Sequence, residues 1–153
     1  MKNLFFSFCV ILIPIITQAQ IVQYHDGKYY IDDRPYTGTF TEYYESGAKK
    51  SEISIKNGLE DGNSFLYYEN GDLMELRSYL RGKKDGTWLT YGENRMITAQ
   101  AGYKNDKKDG YWIIWDENGI KRFEMFYQNG NKAGVWKMWD EKGILIQERN
   151  YSQ

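Results

Sequence analysis

One cysteine, one histidine and two prolines in 153 residues remove several kinds of protein from consideration. The cysteine, Cys9, lies inside the apolar N-terminal run, so the rest of the chain forms neither an internal disulfide framework nor a thiolate metal site. His25 alone leaves a zinc site without its ligands. At a turn tip beside Asp26, it reads as a solvated residue rather than the base of a Ser-His-Asp relay. No excess of either charge is present: the formal net charge is −1. That balance disfavours non-specific binding to nucleic acid or to anionic lipid. Pro35 is the only proline after Pro14, and the polar remainder is lysine, glutamate, asparagine and glycine. With 14 tyrosines and five tryptophans, such a composition suits a sheet protein with many tight turns.

The first residues read as a secretory signal. Lys2 gives a positive start, Leu4 to Ile16 form an apolar stretch broken by Ser7, Cys9 and Pro14, and Thr17-Gln18-Ala19 offers small residues for cleavage. The run is shorter than the roughly 20 apolar residues that span a bilayer. The expected organisation is therefore a signal peptide at 1–19 and a single domain at 20–153, secreted or periplasmic, without stable membrane insertion after cleavage. Cys9 precedes the cleavage point, so it is not a lipid-bearing cysteine.

What is abundant is repetition. Gly38, Gly62, Gly86, Gly110 and Gly134 stand on one 24-residue grid, with no insertion or deletion between copies. A repeat of this length is one supersecondary unit that gains stability by stacking on its neighbours. Two residues after each glycine stand Phe40, Ser64, Trp88, Trp112 and Trp136; five after it stand Tyr43, Tyr67, Tyr91, Trp115 and Trp139. A turn follows, complete in Glu69-Asn70-Gly71 and Glu117-Asn118-Gly119, where asparagine and glycine tolerate positive φ. The returning strand ends at Ile55, Tyr79, Tyr103, Tyr127 and Tyr151. Period-two spacing puts Met125, Phe123 and Lys121 on the face of Tyr127, and Glu52, Glu75, Glu124 and Glu148 on a wet opposite face. A second turn, such as Asn57-Gly58 or Asn129-Gly130, leads to the next glycine. The predicted fold is all-β: an elongated single-layer antiparallel sheet of stacked hairpins, with repeats starting at 38, 62, 86, 110 and 134 and an N-terminal cap at 20–37. Aromatics three residues apart fall on opposite faces of a regular strand, so a bulge or a bend at the glycine is needed to bring both columns to one side. The third unit is irregular: Gly92, Arg95, Ala99, Ala101 and Gly102 depart from its neighbours. This points to a local twist or to a close approach of a partner.

The pattern Gly-x-Trp-x-x-Tyr, then Glu-Asn-Gly, then Glu-x-x-Tyr, then Asn-Gly-Lys-x-x-Gly resembles the bacterial variant of the MORN repeat over about Gly27 to Tyr151. The resemblance implies an elongated sheet of stacked hairpins and an interaction scaffold rather than an enzyme. Many relatives are described as antitoxin components, which implies an antitoxin-like neutraliser as an alternative. An export signal fits that role poorly.

A search for chemistry finds recurrence rather than a site. The carboxylate pairs Asp116-Glu117 and Asp140-Glu141 recur at turn positions, whereas a glycosidase needs one pair flanking one bond. The stretches Lys83-Lys84-Asp85 and Lys107-Lys108-Asp109 follow the same clock and lack Walker spacing. No catalytic residue, metal site or cofactor is expected. The candidate binding residues are Trp112, Trp115, Trp136 and Trp139, with Tyr91 and Tyr67, because aromatic platforms grip a partner or stack on sugar rings. Another protein is the expected partner, and an envelope glycan the alternative.

Overall fold

The computed structural model describes residues 21–152, so the signal segment expected at 1–19 lies outside the described residues. The strands are β1 (Gln23–His25), β2 (Lys28–Ile31), β3 (Arg34–Pro35), β4 (Gly38–Tyr43), β5 (Lys49–Lys56), β6 (Leu59–Glu60), β7 (Gly62–Tyr67), β8 (Leu73–Leu80), β9 (Lys83–Lys84), β10 (Gly86–Tyr91), β11 (Ile97–Lys104), β12 (Lys107–Trp115), β13 (Lys121–Gln128), β14 (Asn131–Trp139) and β15 (Leu145–Asn150). From β4 onward they form one open antiparallel sheet of 12 strands in which neighbours in sequence are neighbours in space; β1, β2 and β3 form a small sheet before it.

Local chemistry sets both turns. The first turn is a type I turn closed by a left-handed residue: the Gly71 N–H donates to the Tyr68 carbonyl at 2.9 Å, and Gly71 has φ +88°. Arg95 takes that place in the third unit, with φ +65°. The second turn is of type I′, with positive φ at both central residues: Asn57-Gly58, Arg81-Gly82, Asn105-Asp106 and Asn129-Gly130. The N-terminal segment turns in the same way, at Asp26-Gly27 and at Asp32-Asp33.

The grid glycines bend the chain where it leaves one unit for the next. Gly62, Gly86 and Gly110 have φ between +90° and +102°, a region costly for any residue with a Cβ. The residue before each bend ties the following unit in place. Asp61, Asp85 and Asp109 accept the backbone N–H of Arg81, Asn105 and Asn129 at 3.1, 3.2 and 2.9 Å, and the Thr37 hydroxyl accepts that of Asn57. The aspartate of each Lys-Lys-Asp stretch is thus a turn acceptor for the unit that follows.

The two aromatic columns lie on opposite faces. Trp112 pairs with Met125, two residues from Tyr127, and these define face A. Tyr67 follows Phe65 by two, Phe65 pairs with Glu52, and the Tyr67 hydroxyl donates to Glu52 at 2.7 Å; these define face B. A bulge is present in every hairpin, but on the returning strand. Opposite Ile114 and Trp115 the partner residues are Phe123 and Lys121, so Arg122 is the extra residue; Lys50, Met74, Thr98 and Ile146 are its equivalents. Two expectations are corrected by this register. Phe123 and Met125 share the face of Tyr127, but the bulge at Arg122 turns Lys121 to face B, where it pairs with Glu124 at 2.6 Å. Glu75 stands one position earlier in its unit than Glu52 and Glu124 and lies on the face of Tyr79, held by Arg77 at 2.6 Å.

A single layer has little core. Tyr29, Ser51, Ile55 and Ser64 are the buried side chains among the described residues, all at the N-terminal end. Tyr29 reaches from the cap onto face A, 5.6 Å from Phe40. Ser64 occupies the tryptophan position of its unit and is 2 % exposed. The cap therefore covers face A over the first two units.

Candidate functional site

Beyond the cap, face A is an unbroken aromatic ladder. Ring centroids follow one another from Tyr79 to Trp88 (5.3 Å), Tyr103 (5.1 Å), Trp112 (5.2 Å), Tyr127 (5.7 Å), Trp136 (5.1 Å) and Tyr151 (4.8 Å), all tilted or edge to face. Such geometries satisfy the ring quadrupoles. Each tryptophan is also fixed by its polar end: the indole N–H of Trp88, Trp112 and Trp136 donates to the carbonyl of Ser78, Gly102 and Phe126, each at 3.0 Å. Of the expected binding residues, Trp112 and Trp136 are thus half-buried members of the ladder.

Tyr67, Tyr91, Trp115 and Trp139 form the second column, on face B, and are half-buried as well. The backbone of Tyr67, Tyr91 and Trp139 is anchored from the preceding unit. The Tyr44 and Tyr68 hydroxyls donate to the carbonyls of Tyr67 (2.7 Å) and Tyr91 (2.8 Å), and the Arg122 guanidinium donates to that of Trp139 (3.1 Å). The structure separates the expected residues into two sets on opposite faces and brings no Trp112 to Trp115 or Trp136 to Trp139 ring contact among the described pairs.

A column of lysines runs beside the ladder. Lys84 lies 4.5 Å from the Trp88 ring and 5.1 Å from that of Tyr103; Lys108 lies 4.0 Å from Trp112 and 4.8 Å from Tyr127; Lys132 lies 4.5 Å from Trp136 and 5.1 Å from Tyr151. Contacts of this kind are worth about 0.5–1 kcal/mol each at exposed sites. Sequence reading missed this column, although its signal is present: the three lysines keep the 24-residue spacing, two residues before each grid glycine. Reading Lys-Lys-Asp as one stretch hid the alternation that sends its second lysine to face A.

Charge changes sign along that column. Glu60 stands 24 residues before Lys84, beneath the capped end, and burial raises its carboxyl above the usual range against a lowering hydrogen bond with Tyr79 and the nearby Arg77. Burial, reinforced by Glu60, pushes the Tyr29 and Tyr79 phenols up to about 12. On face B, Tyr67 also rises to about 12, by burial and then by its bond to Glu52, whose own carboxyl is held low by Lys49 and by Tyr67.

A recess of about 270 Å³ opens on face A at the C-terminal end, lined by Phe123, Met125, Trp136, Met138, Gln147 and Arg149 with Lys137 and Tyr151 at its margins. Phe123 is 38 % exposed, and Ile114, its cross-strand partner at 41 %, continues the apolar lining. Among the described residues no group of three or more His, Cys, Asp or Glu side chains is placed to hold a metal ion. No helix there is long and apolar enough to cross a membrane.

No curated protein matches the chain. The MORN repeat variant pattern matches residues 36–57, 60–80, 108–129 and 132–153, which is more than half of the sequence. The unmatched stretch contains the unit in which Arg95 replaces the turn glycine and Gly102 sits in the returning strand. With four matched copies, each a hairpin of the one open sheet, the chain belongs to the MORN repeat variant family.

Proposed function

We propose that this chain is an exported, non-catalytic scaffold that binds another protein across the open part of face A. MORN repeats are in general protein- or membrane-interaction modules. The observation that carries the protein reading is the apolar recess bounded by Phe123, Met125, Trp136 and Met138, on a face the cap leaves open over the last three units. Half-open aromatic and methionine side chains around a recess are what binding hot spots are made of. The lysine ammonium groups lie over the ladder rings, so those ring faces are taken, which weighs against sugar stacking on them.

Because no cysteine follows Cys9, single cysteines can carry a photocrosslinker without background from the repeat domain. Ile114→Cys reports on face A and Tyr111→Cys, 53 % exposed, on face B. In the native envelope the first is expected to give one stoichiometric protein adduct and the second none. Equal labelling from both faces, or retention on purified glycan without a protein adduct, overturns the reading. Export has its own measurement. Mass spectrometry of the protein recovered outside the cytoplasm is expected to give Gln20 as the first residue, and an intact Met1 in the membrane pellet would count against it.

A further inference from the structure

Resting on the reading that the open part of face A docks a protein, we propose that the docking segment of that partner is acidic, with carboxylates that engage Lys84, Lys108 and Lys132 while an apolar side chain enters the recess at Met125 and Met138. The warrant is charge complementarity on one face. From β9 to β15 the strands place four cations on face A, the three lysines and Arg149, and no aspartate or glutamate: Glu124 and Glu148 both project from face B, paired with Ile113 and opposite Lys137. None of the four cations is in an ion pair among the described residues. The neighbouring carboxylates of Asp85 and Asp109 are occupied by backbone N–H groups.

The column also has a pitch. Equivalent residues are two strands apart, or about 10 Å at the usual interstrand spacing. The ammonium groups rest on rings 4.0–4.5 Å away, which holds each long side chain in place before a partner arrives. Less rotamer freedom is then lost on binding.

An anionic membrane is the rival for a cationic aromatic face. The whole chain carries a net charge of −1, and the first turns line one edge of the same array with exposed Glu93, Glu117 and Glu141. A broad anionic surface meets that edge and is repelled by it. A narrow peptide lies along the lysines and avoids it.

The test uses the repeat domain and a short fluorescent peptide alternating glutamate with phenylalanine, beside its glutamine counterpart. The glutamate peptide is expected to bind at least about tenfold more tightly, a difference of roughly 1.4 kcal/mol, and the difference is expected to vanish at high salt because it is electrostatic. The combined variant Lys84→Gln, Lys108→Gln, Lys132→Gln is expected to lose that preference. Lys83→Gln, Lys107→Gln, Lys142→Gln, with the same change in net charge, should keep it. If the first variant fails to fold, the arginine replacements at 84, 108 and 132 together with the salt titration of the unaltered protein decide the matter. Equal affinity for the two peptides overturns the inference, as does a salt-independent preference. Binding to phosphatidylserine vesicles but not to either peptide also overturns it, in favour of a membrane. Should the peptides fail while the Ile114→Cys adduct persists, the acidic partner is wrong and the scaffold reading stands; loss of that adduct removes the scaffold reading itself.

Discussion

Trp112→Ala is expected to destabilise the array by about 3 kcal/mol in urea denaturation, and Trp115→Ala by only about 1.5 kcal/mol. The two residues are three apart in one strand and both are half-buried. They differ in what holds them. Trp112 touches Tyr103 and Tyr127 in the adjacent strands, carries Lys108 on its ring and donates its indole N–H to Gly102. Its removal breaks the ladder in the middle and leaves that carbonyl without the indole. Trp115 is held mainly by its position in the hairpin and has no indole hydrogen bond among the described residues. Because a stacked array couples nearest neighbours, the loss at Trp112 is expected to spread to the units on either side. A midpoint for Trp112→Ala equal to or above that of Trp115→Ala would show that the ladder is not the stabilising element.

The second large effect concerns a methyl group. Gly102→Ala is expected to cost about 2–3 kcal/mol, because inserted atoms that meet fixed backbone force strands apart. A Cβ at Gly102 runs into the carbonyl oxygen of Asp109 and lies 3.4 Å from the Gly110 Cα. The strand pairing of β11 with β12 jumps at this point, from Ala101 to Tyr103. Gly143→Ala provides the comparison. Its Cβ has room, with Ile120 3.6 Å away, and only its φ of +75° is unfavourable, which predicts about 1 kcal/mol. Chemical denaturation of the two variants checks the order, and a Gly102→Ala protein as stable as the original contradicts the close approach.

Gly102, one of the departures of the irregular third unit, thus has a physical reason that sequence could express only as a choice. The backbone that approaches Gly102 belongs to β12 of the same chain. Hairpins, turn types and the 24-residue period were legible because their causes are local: glycine and asparagine at positive φ, and alternation along short strands. The faces were less so. Lys50, Met74, Thr98, Arg122 and Ile146 share no residue type, so nothing in their chemistry marks the bulge that turns Lys121 away from Tyr127, nor its place on the returning strand, where it leaves the two aromatic columns of the first strand on opposite faces. The burial of Tyr29 against Phe40 joins a segment outside the repeat to the first unit, and spacing alone does not reveal such an encounter. The lysine column is the opposite case, visible on the grid once the face of each residue is known.

The ties between units are short in sequence. Turn residues bond to aspartates 20 positions away, tyrosine hydroxyls reach carbonyls 23 positions away and indoles reach back 10. No strand waits for a partner from the far end of the chain. Low contact order of this kind favours fast folding, and here it also gives folding a direction. As the chain emerges from a ribosome, Tyr29 and the first two hairpins can close the buried end while later residues are still being added. Each further stretch of 24 then finds a finished edge on which to zip, and the open sheet grows vectorially at the pace of its own delivery.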